Sequence, residues 1–233
     1  MKQVVVTGAS GVIGSVIIGG LSGFELVPFD LPRNDVLRTG DLDAALTTAT
    51  YVVHLAWNSE TENFRSDILD PANATMMYNV MRRSLYHGVK RVVLASSIHA
   101  DEYPNPGRGE LSTAASVGIP DSVYGADKLF GEAMGRHYST RGLEVISLRF
   151  GGVNRSNSQP RDDRTERAVW LSHRDCTDLI QKCLDADVVP ENYVCIYAVS
   201  NNLGRWHDFS NPFGWTPRDG DYSLYSADSD YIG

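Results

Sequence analysis

The sequence has few cysteines, no excess of basic residues and no long apolar run. Its three cysteines, Cys176, Cys183 and Cys195, lack the close spacing of metal ligands, and their odd number favours reduced thiols over a disulfide framework. A net charge of −8 without a basic block argues against a nucleic-acid surface. No apolar run is long enough to cross a bilayer, and no signal-peptide pattern precedes the first strand. We therefore expect a cytoplasmic protein without a metal ion, bound to neither nucleic acid nor membrane.

The apolar pattern indicates an α/β protein. A chain of 233 residues has room for one large domain, or for one domain with a small appendage. Five strands that alternate with helices predict a doubly wound parallel sheet. The predicted strands cover residues 4–7, 24–29, 51–56, 91–95 and 144–150, and a last strand covers residues 193–199. The predicted helices cover residues 12–21, 42–49, 71–87, 121–140 and 172–184. His54, within the third strand, is interpreted as a core or near-cofactor residue and not as a metal ligand.

Residues 4–14 read VVVTGASGVIG, which is a buried strand, a glycine turn and a helix start. Gly8 permits the turn, Gly11 lets backbone N–H groups approach a pyrophosphate, and Gly14 allows close contact between helix and strand. The amino-terminus of the helix then faces the anion. Glycine-rich turns without a ligand are common, so the neighbouring residues have to decide.

Two acidic residues follow at positions that suit a dinucleotide. Asp30 ends the second strand 22 residues after Gly8, close to the offset of about 20 expected for an acid on the adenosine ribose. A carboxylate there repels a 2′-phosphate and favours NAD over NADP, although Arg33 softens that preference. The alternative is that Asp30 is only a turn residue before Pro32. Asp41 has two interpretations as well: it receives the adenine amino group, or it caps the helix that follows.

Three polar residues are placed for proton and hydride chemistry. Ser97 lies at the carboxyl end of a strand, where ligands of open α/β sheets bind. Tyr124 and Lys128 are four residues apart and share one helix face. The lysine charge favours the phenolate, so that the tyrosine can remove a hydroxyl proton while a hydride leaves for a nicotinamide. Ser97 positions the reacting oxygen. The alternative is a solvated helix face and a serine that merely ends a strand.

Together these motifs resemble the extended branch of the short-chain dehydrogenase/reductase superfamily, over nearly the whole chain. The matching segments are TGASGVIG at 7–14, Asp30, GDL at 40–42, HLA at 54–56, Asn73, SS at 96–97, YGADK at 124–128 and FGWTPRD at 213–219. The resemblance implies a Rossmann-like NAD-binding domain over residues 1–150 and a small, interleaved substrate-binding region over residues 151–233. It also implies NAD as cofactor and a homodimer formed through the helices at 71–87 and 121–140.

The resemblance also assigns site residues. Catalysis is assigned to Ser97, Tyr124, Lys128 and Asn73, with Asn73 keeping a proton path to Lys128 in order. The residues implied for cofactor binding are Gly8, Ser10, Gly11, Val12, Ile13, Gly14, Asp30, Asp41, Leu42, Leu55, Ala56, Trp57, Asn73, Tyr124 and Lys128.

Within the branch, the likeness is closest to uronate dehydrogenases and archaeal-type NAD-dependent glucose-6-phosphate dehydrogenases. It is carried by HLAWNS at 54–59, ASSIH at 95–99, WLSHRD at 170–175 and RWHD at 205–208. It implies that C1 of a small acidic or phosphorylated sugar is oxidised to a lactone. The implied substrate-binding residues are Ser59, Ser97, Ile98, His99, Tyr124, Gly152, Arg164 and Arg167.

Some details leave the sugar open. Arg164 is the first choice, and Arg167 the second, for the residue that binds the acidic group of the sugar. Both lie in a polar stretch at 154–167 that is either a mobile lid or a solvated loop. Ile98 stands where a substrate-binding asparagine is usual, and Val12 replaces a glutamine of the bacterial uronate enzymes. Both departures remove hydrogen-bonding groups.

Two other functions remain open. A nucleotide-sugar epimerase or dehydratase uses the same residues but returns the hydride to the sugar. Such enzymes need a larger carboxyl-terminal region than the roughly 83 residues after Phe150 in this chain of 233. A catalytically silent NAD-binding sensor on the same fold is the other alternative. Silent members are expected to have lost the serine, the tyrosine or the lysine, and this chain keeps all three.

Overall fold

The structure is a computed structural model that describes residues 1–58, 67–102, 111–115 and 117–220. One sheet contains six parallel strands: β1 (Lys2–Thr7), β2 (Phe24–Phe29), β3 (Tyr51–His54), β4 (Arg91–Ser97), β5 (Glu144–Phe150) and β6 (Tyr193–Ala198). The helices are α1 (Val12–Gly20), α2 (Thr39–Leu46), α3 (Pro71–Tyr86), α4 (Val123–Ser139), α5 (Arg164–Ala168) and α6 (His173–Asp185). This is the expected Rossmann-like α/β architecture.

The strand order in the sheet is β2-β1-β3-β4-β5-β6. The chain leaves β1 towards one edge of the sheet and then returns to build β3 on the other side of β1. Thr7 consequently pairs with Phe29 on one side and with His54 on the other. Ligands of doubly wound sheets bind outside the carboxyl ends of the strands at such a reversal of order.

Both faces of the sheet are buried, as is typical of parallel sheets covered by helices. Val4 and Val6 of β1 pack on the face covered by α1 and α6, whereas Val5 packs on the face covered by α2, α3 and α4. The alternation follows from the two-residue period of a strand. It explains why the strands read as continuous apolar runs.

Several element boundaries were predicted correctly, and the differences have local causes. Strands β2 and β5 have the predicted bounds, but β3 ends at His54. After it, the Leu55 N–H donates to the Thr7 carbonyl at 3.1 Å and to Thr7 Oγ1 at 3.2 Å, and the Ala56 N–H donates only to the side chain, Thr7 Oγ1, at 3.2 Å. Helix α2 has Arg38 at its N-cap, so the capping interpretation of Asp41 is wrong. Instead Asp41 lies in the first turn and accepts a hydrogen bond from the Asp35 N–H at 3.0 Å.

The later part of the chain is interleaved with the earlier part. Strand β6 pairs with β5, and α6 packs against α1. Ser172 caps α6 as expected, since its Oγ accepts from the Asp175 N–H at 3.0 Å. The Asp175 carboxylate does not reach back to complete a capping box but accepts from Ser200 and from the Arg218 N–H. The stretch at 154–167, expected as a loop or lid, ends in α5.

Candidate active site

A cleft of about 960 Å³ opens at the carboxyl ends of β1, β3, β4 and β5. One end is lined by the glycine turn after β1, and the other by Ser97, Tyr124 and Gly152. The cleft therefore lies where the strand order reverses, as doubly wound folds require. Among the described residues, no group of three or more histidine, cysteine or acidic side chains is arranged to hold a metal ion.

The glycine turn is shaped by close backbone contacts. Gly8 has a φ of +70°, a conformation that favours glycine, and its N–H donates to the Phe29 carbonyl at 3.0 Å. A Cβ on Gly14 would lie 2.2 Å from the Gly8 carbonyl oxygen, so only glycine lets α1 begin this close to the turn. Gly11 is the N-cap of α1 and provides no side-chain cap, which leaves the first N–H groups of the helix facing the cleft. This arrangement fits the pyrophosphate of a dinucleotide.

Asp30 stands at the end of the cleft beyond the glycine turn. Its carboxylate accepts from the Ser10 N–H at 2.8 Å and from the Leu31 N–H at 2.9 Å, which links the end of β2 to the turn after β1. These two donors fix the carboxylate in the cleft wall, where it suits the hydroxyls of an adenosine ribose. The site residues thus fit NAD.

His54, the last residue of β3, lies in the core next to Thr7 at the end of β1. It is buried, and its Nδ1 is 2.7 Å from Thr7 Oγ1. Burial, with a smaller contribution from the Lys128 charge, lowers the pKa of His54 to about 3, so the ring is neutral. The interpretation of His54 as a core residue near the cofactor site agrees with this placement.

Ser97 and Tyr124 meet at the other end of the cleft. Both residues line this end of the cleft, and Ser97 lies close enough to lower the pKa of the Tyr124 hydroxyl. The two oxygens are therefore placed to contact one substrate oxygen. Ser97 Oγ also accepts from the His99 N–H at 3.2 Å. Burial raises the pKa of Tyr124, Ser97 lowers it, and Asp127 and Asp121 raise it further.

Lys128 lies one turn along α4 from Tyr124. It is buried, its Nζ donates to the Ala95 carbonyl at 3.1 Å, and it lies 3.5 Å from the centroid of the Trp57 ring and 5.6 Å from that of Tyr124. Burial lowers the pKa of Lys128 to about 7, against an opposing contribution from the Asp127 charge. The ammonium group is therefore poised between its two protonation states near neutral pH.

Asn73 joins α3 to this cluster. Its Oδ1 accepts from the Asn58 N–H at 2.8 Å, its Nδ2 donates to the Asn58 carbonyl at 3.3 Å, and it lowers the pKa of Asp127. Burial raises the pKa of Asp127, Lys128 lowers it, and Asp70 raises it. Asp127 lines the cleft and was missed in the sequence, although it stands within the YGADK motif beside Lys128.

The two neighbouring serines have different environments. Ser96 Oγ donates to Glu132 Oε1 at 2.6 Å, and Glu132 is paired with the buried guanidinium of Arg149 through two further hydrogen bonds. The Ser97 side chain alternates to the other face of β4 and lines the cleft together with Tyr124. Ser96 therefore holds the sheet and α4 together, and Ser97 is the serine available for chemistry.

Most of the expected site residues line the cleft. They are Gly8, Gly11, Val12, Ile13, Gly14, Asp30, Leu55, Ala56, Trp57, Asn73, Ser97, Ile98, His99, Tyr124, Lys128 and Gly152.

The other expected site residues are placed differently. Ser10 faces solvent and contributes its backbone N–H to Asp30. Asp41 and Leu42 do not line the cleft, because Asp41 is engaged with Asp35 and Leu42 is buried in the core. Their assignment to the cofactor has no support from the geometry.

The predicted substrate-binding arginines are not at the cleft wall. Arg164 and Arg167 of α5 do not line it, whereas Glu166 of the same helix does. Asp163 caps this helix by accepting from the N–H groups of Thr165 and Glu166. The roles of the two arginines stay predictions. Ser59 lies outside the described residues.

A family model matches residues 4–170, and its description is the NAD dependent epimerase/dehydratase family. The chain belongs to this family. The match spans the glycine turn, Asp30, Asn73, Ser97, Tyr124 and Lys128. The chain is thus an enzyme of a family that uses NAD, in agreement with the cleft.

Individual relatives cover nearly the whole chain. L-arabinose 1-dehydrogenase (NAD(P)(+)) of Haloferax volcanii is 31% identical over 94% of this chain and 97% of its own length. Uronate dehydrogenase of Pseudomonas putida is 30% identical over 97% of this chain and 87% of its own. The crystal structure of uronate dehydrogenase from Agrobacterium tumefaciens superposes with a TM-score of 0.81 at 27% identity, covering 96% of this chain and 87% of that one.

Proposed function

We propose that this protein oxidises C1 of a small sugar with NAD and releases a lactone. The observation that carries the proposal is that Ser97, Tyr124 and Lys128 all line the cleft, with Lys128 one helical turn from Tyr124. When bound, NAD supplies the acceptor for the hydride that leaves C1. The C1 hydroxyl loses its proton in the same oxidation, so atoms and electrons balance as lactone, NADH and one proton.

Residues of this chain remove the hydroxyl proton and position the reacting oxygen. Tyr124 removes the hydroxyl proton, and Ser97 holds the same oxygen and stabilises the charge that develops on it. The charged form of Lys128 favours the phenolate of Tyr124. Asn73, which is hydrogen-bonded to Asn58 and lies near Asp127, keeps a proton path to Lys128 in order.

The acidic or phosphorylated sugars expected from the sequence are the first substrate class. The relative named uronate dehydrogenase supports this class. In this case Arg164 or Arg167 has to turn towards the cleft when the sugar binds. Arginine would then hold the anionic group through paired hydrogen bonds.

A second class, the uncharged aldoses, is favoured by a specific observation. Helix α5 presents Glu166 to the cleft beside Gly152, at the end where the sugar would lie. A carboxylate in this position accepts hydrogen bonds from hydroxyl groups. The relative named L-arabinose 1-dehydrogenase also supports an uncharged sugar.

A substrate panel tests the proposal. Purified protein is incubated with NAD and with uronates, aldoses and sugar phosphates, while NADH is followed at 340 nm and lactone by mass spectrometry. We expect stoichiometric NADH and lactone with one class. An isomerised nucleotide sugar without net NADH would identify an epimerase or dehydratase instead. NAD binding without turnover of any sugar would favour the silent sensor.

We also propose a cytoplasmic homodimer. Tyr86 of α3 and Phe130 of α4 are 73% and 42% exposed, and the two helices pack side by side, which provides an apolar face for a second copy. The three cysteines are unpaired thiols, which suits a reducing compartment. Light scattering of the protein and of a Phe130→Ser variant tests the dimer. A monomeric mass for the unchanged protein at micromolar concentration would refute it.

A further inference from the structure

The acidic residue ahead of α4 is paired with a histidine of the cleft. His99 Nδ1 is 2.7 Å from Asp121 Oδ2, and both side chains are mostly buried, with 21% and 16% exposure. The two residues are joined a second time through the backbone, since the Asp121 N–H donates to the His99 carbonyl at 3.3 Å. Asp121 therefore holds both the ring and the backbone carbonyl of His99.

The His99–Asp121 pair also lies next to Tyr124, the residue proposed to remove the hydroxyl proton. The His99 ring meets the Tyr124 ring edge-on, with 5.7 Å between centroids, and the His99 N–H donates to Ser97 Oγ. Gly125 makes the approach possible, because a Cβ at this position would lie 2.0 Å from the His99 carbonyl oxygen. His99 is thus fixed against the residues that hold the substrate oxygen.

A carboxylate at Nδ1 determines which nitrogen carries the proton of a neutral imidazole. An ionised carboxylate only accepts hydrogen bonds, so Nδ1 is the donor and Nε2, on the side of the ring away from Asp121, becomes an acceptor. An acceptor in a sugar site binds a hydroxyl group. A protonated Nε2 would suit a carbonyl or an anionic oxygen instead.

We propose that Asp121 is a positioning residue that holds His99 in the Nδ1–H form, so that Nε2 accepts a hydrogen bond from a sugar hydroxyl next to the reacting carbon. This inference deepens the proposed function and rests on it. Asp121 acts through His99 and does not itself touch the substrate. Ser122, and not Asp121, caps α4 by accepting from the Gly125 N–H at 3.1 Å.

Asp121 has one further contact that a test has to separate. Its Oδ1 accepts from Ser122 Oγ at 2.7 Å, so a change at Asp121 also affects the cap of α4. Ser122→Ala removes this contact and the cap but keeps the pair with His99. It is therefore the matched control for a purely structural role.

The tautomer is measured directly by nitrogen NMR of histidine-labelled protein. The His99 signal, identified by its loss in His99→Gln, should show a protonated Nδ1 in the unchanged protein and a protonated Nε2 in Asp121→Asn, whose amide N–H is able to donate to Nδ1. Ser122→Ala should keep the original form. A protonated Nε2 in the unchanged protein would overturn the inference, whether or not any sugar is oxidised.

Kinetics supply the second readout. With the sugar that the panel identifies, Asp121→Asn should raise the sugar KM about tenfold, a loss of about 1.4 kcal/mol, and leave the KM for NAD unchanged. Added to His99→Gln, the same substitution should have no further effect on the sugar KM, because Asp121 acts through His99. Independent, additive effects would refute the positioning role. Absence of turnover in the unchanged protein would refute the proposed function alone.

Discussion

The Lys128 ammonium lies 3.5 Å from the centroid of the Trp57 ring. A cation held over an indole face in a desolvated site is stabilised by about 2 kcal/mol. Trp57 therefore favours the charged form of Lys128 against burial, which lowers its pKa to about 7. Trp57 follows β3 and Lys128 lies within α4, so the fold brings the two side chains together.

Replacing Trp57 should change the pH profile of activity. Removal of the ring destabilises the charged form of Lys128, so the pKa of Lys128 falls further. The charged lysine is then lost at a lower pH. We expect the alkaline decline of kcat in Trp57→Leu to move to lower pH, and Trp57→Phe to lie between. The measurement is kcat from pH 6 to 10. A profile of unchanged shape would contradict the role of the ring.

The two serines of β4 allow a matched comparison. Ser97→Ala should lower kcat by about 10²–10³, as the loss of one donor at a reacting oxygen does. Ser96→Ala should keep kcat within a few-fold but lower the free energy of unfolding by about 1–3 kcal/mol, because it removes a donor from buried Glu132. Turnover rates and denaturant titrations check the pair. Equal losses of kcat would refute the assignment of Ser97.

Asp30 should set the preference between NAD and NADP. In Asp30→Ser the repulsion of a 2′-phosphate and the acceptor for ribose hydroxyls are both removed, so the ratio of kcat/KM for NAD to that for NADP should fall at least tenfold, or about 1.4 kcal/mol. Asp41→Asn is the control, since Asp41 does not line the cleft. A shift in cofactor preference for the control would restore the sequence-based assignment of Asp41.

Two glycines of α1 should respond in opposite ways to alanine. Gly14→Ala forces a Cβ against the Gly8 carbonyl and should destabilise the protein by about 1–3 kcal/mol and weaken NAD binding. Gly19→Ala meets nothing within 4 Å and should stabilise the helix by about 0.5–1 kcal/mol. Thermal unfolding and NAD titration test both. Equal effects would mean that the close contact is not decisive.

His207 should make the fold sensitive to acid. It is fully buried against Tyr197, neither ring nitrogen has a hydrogen-bond partner among the described residues, and burial lowers its pKa to about 4. Because the unfolded state takes up the proton first, stability is lost as pH falls from about 6.5 towards 4.

The matched variant for this effect is His207→Phe. At pH 5 the penalty amounts to about 2 kcal/mol, so the decrease in Tm between pH 7.5 and 5 should be smaller in the variant than in the unchanged protein. An identical decrease in the two proteins would show that His207 does not titrate in this way.

Local sequence patterns are sufficient to predict the fold class and many of the residues that line the cleft. The glycine spacing, Asp30 and the four-residue interval between Tyr124 and Lys128 are local patterns. Each depends on local backbone geometry, so each predicts the same structural feature in any doubly wound sheet. Strand β5 was predicted to the residue because a buried parallel strand is a mostly apolar run. The predicted bounds of β2, a partly exposed strand at the edge of the sheet, were also correct.

The neighbours that act on these groups are brought together by the folded chain and could not be predicted from local patterns. Asp121 and His99 are 22 positions apart, and Asn73 affects the pKa of Asp127 across 54 positions. These separations exceed the period of any helix or strand. The same holds for α5, where the choice between Arg164, Glu166 and Arg167 at the cleft wall depends on how the helix packs. Charge and hydrogen bonding act through space, so the partners that set a tautomer or a pKa become visible only once the chain is folded.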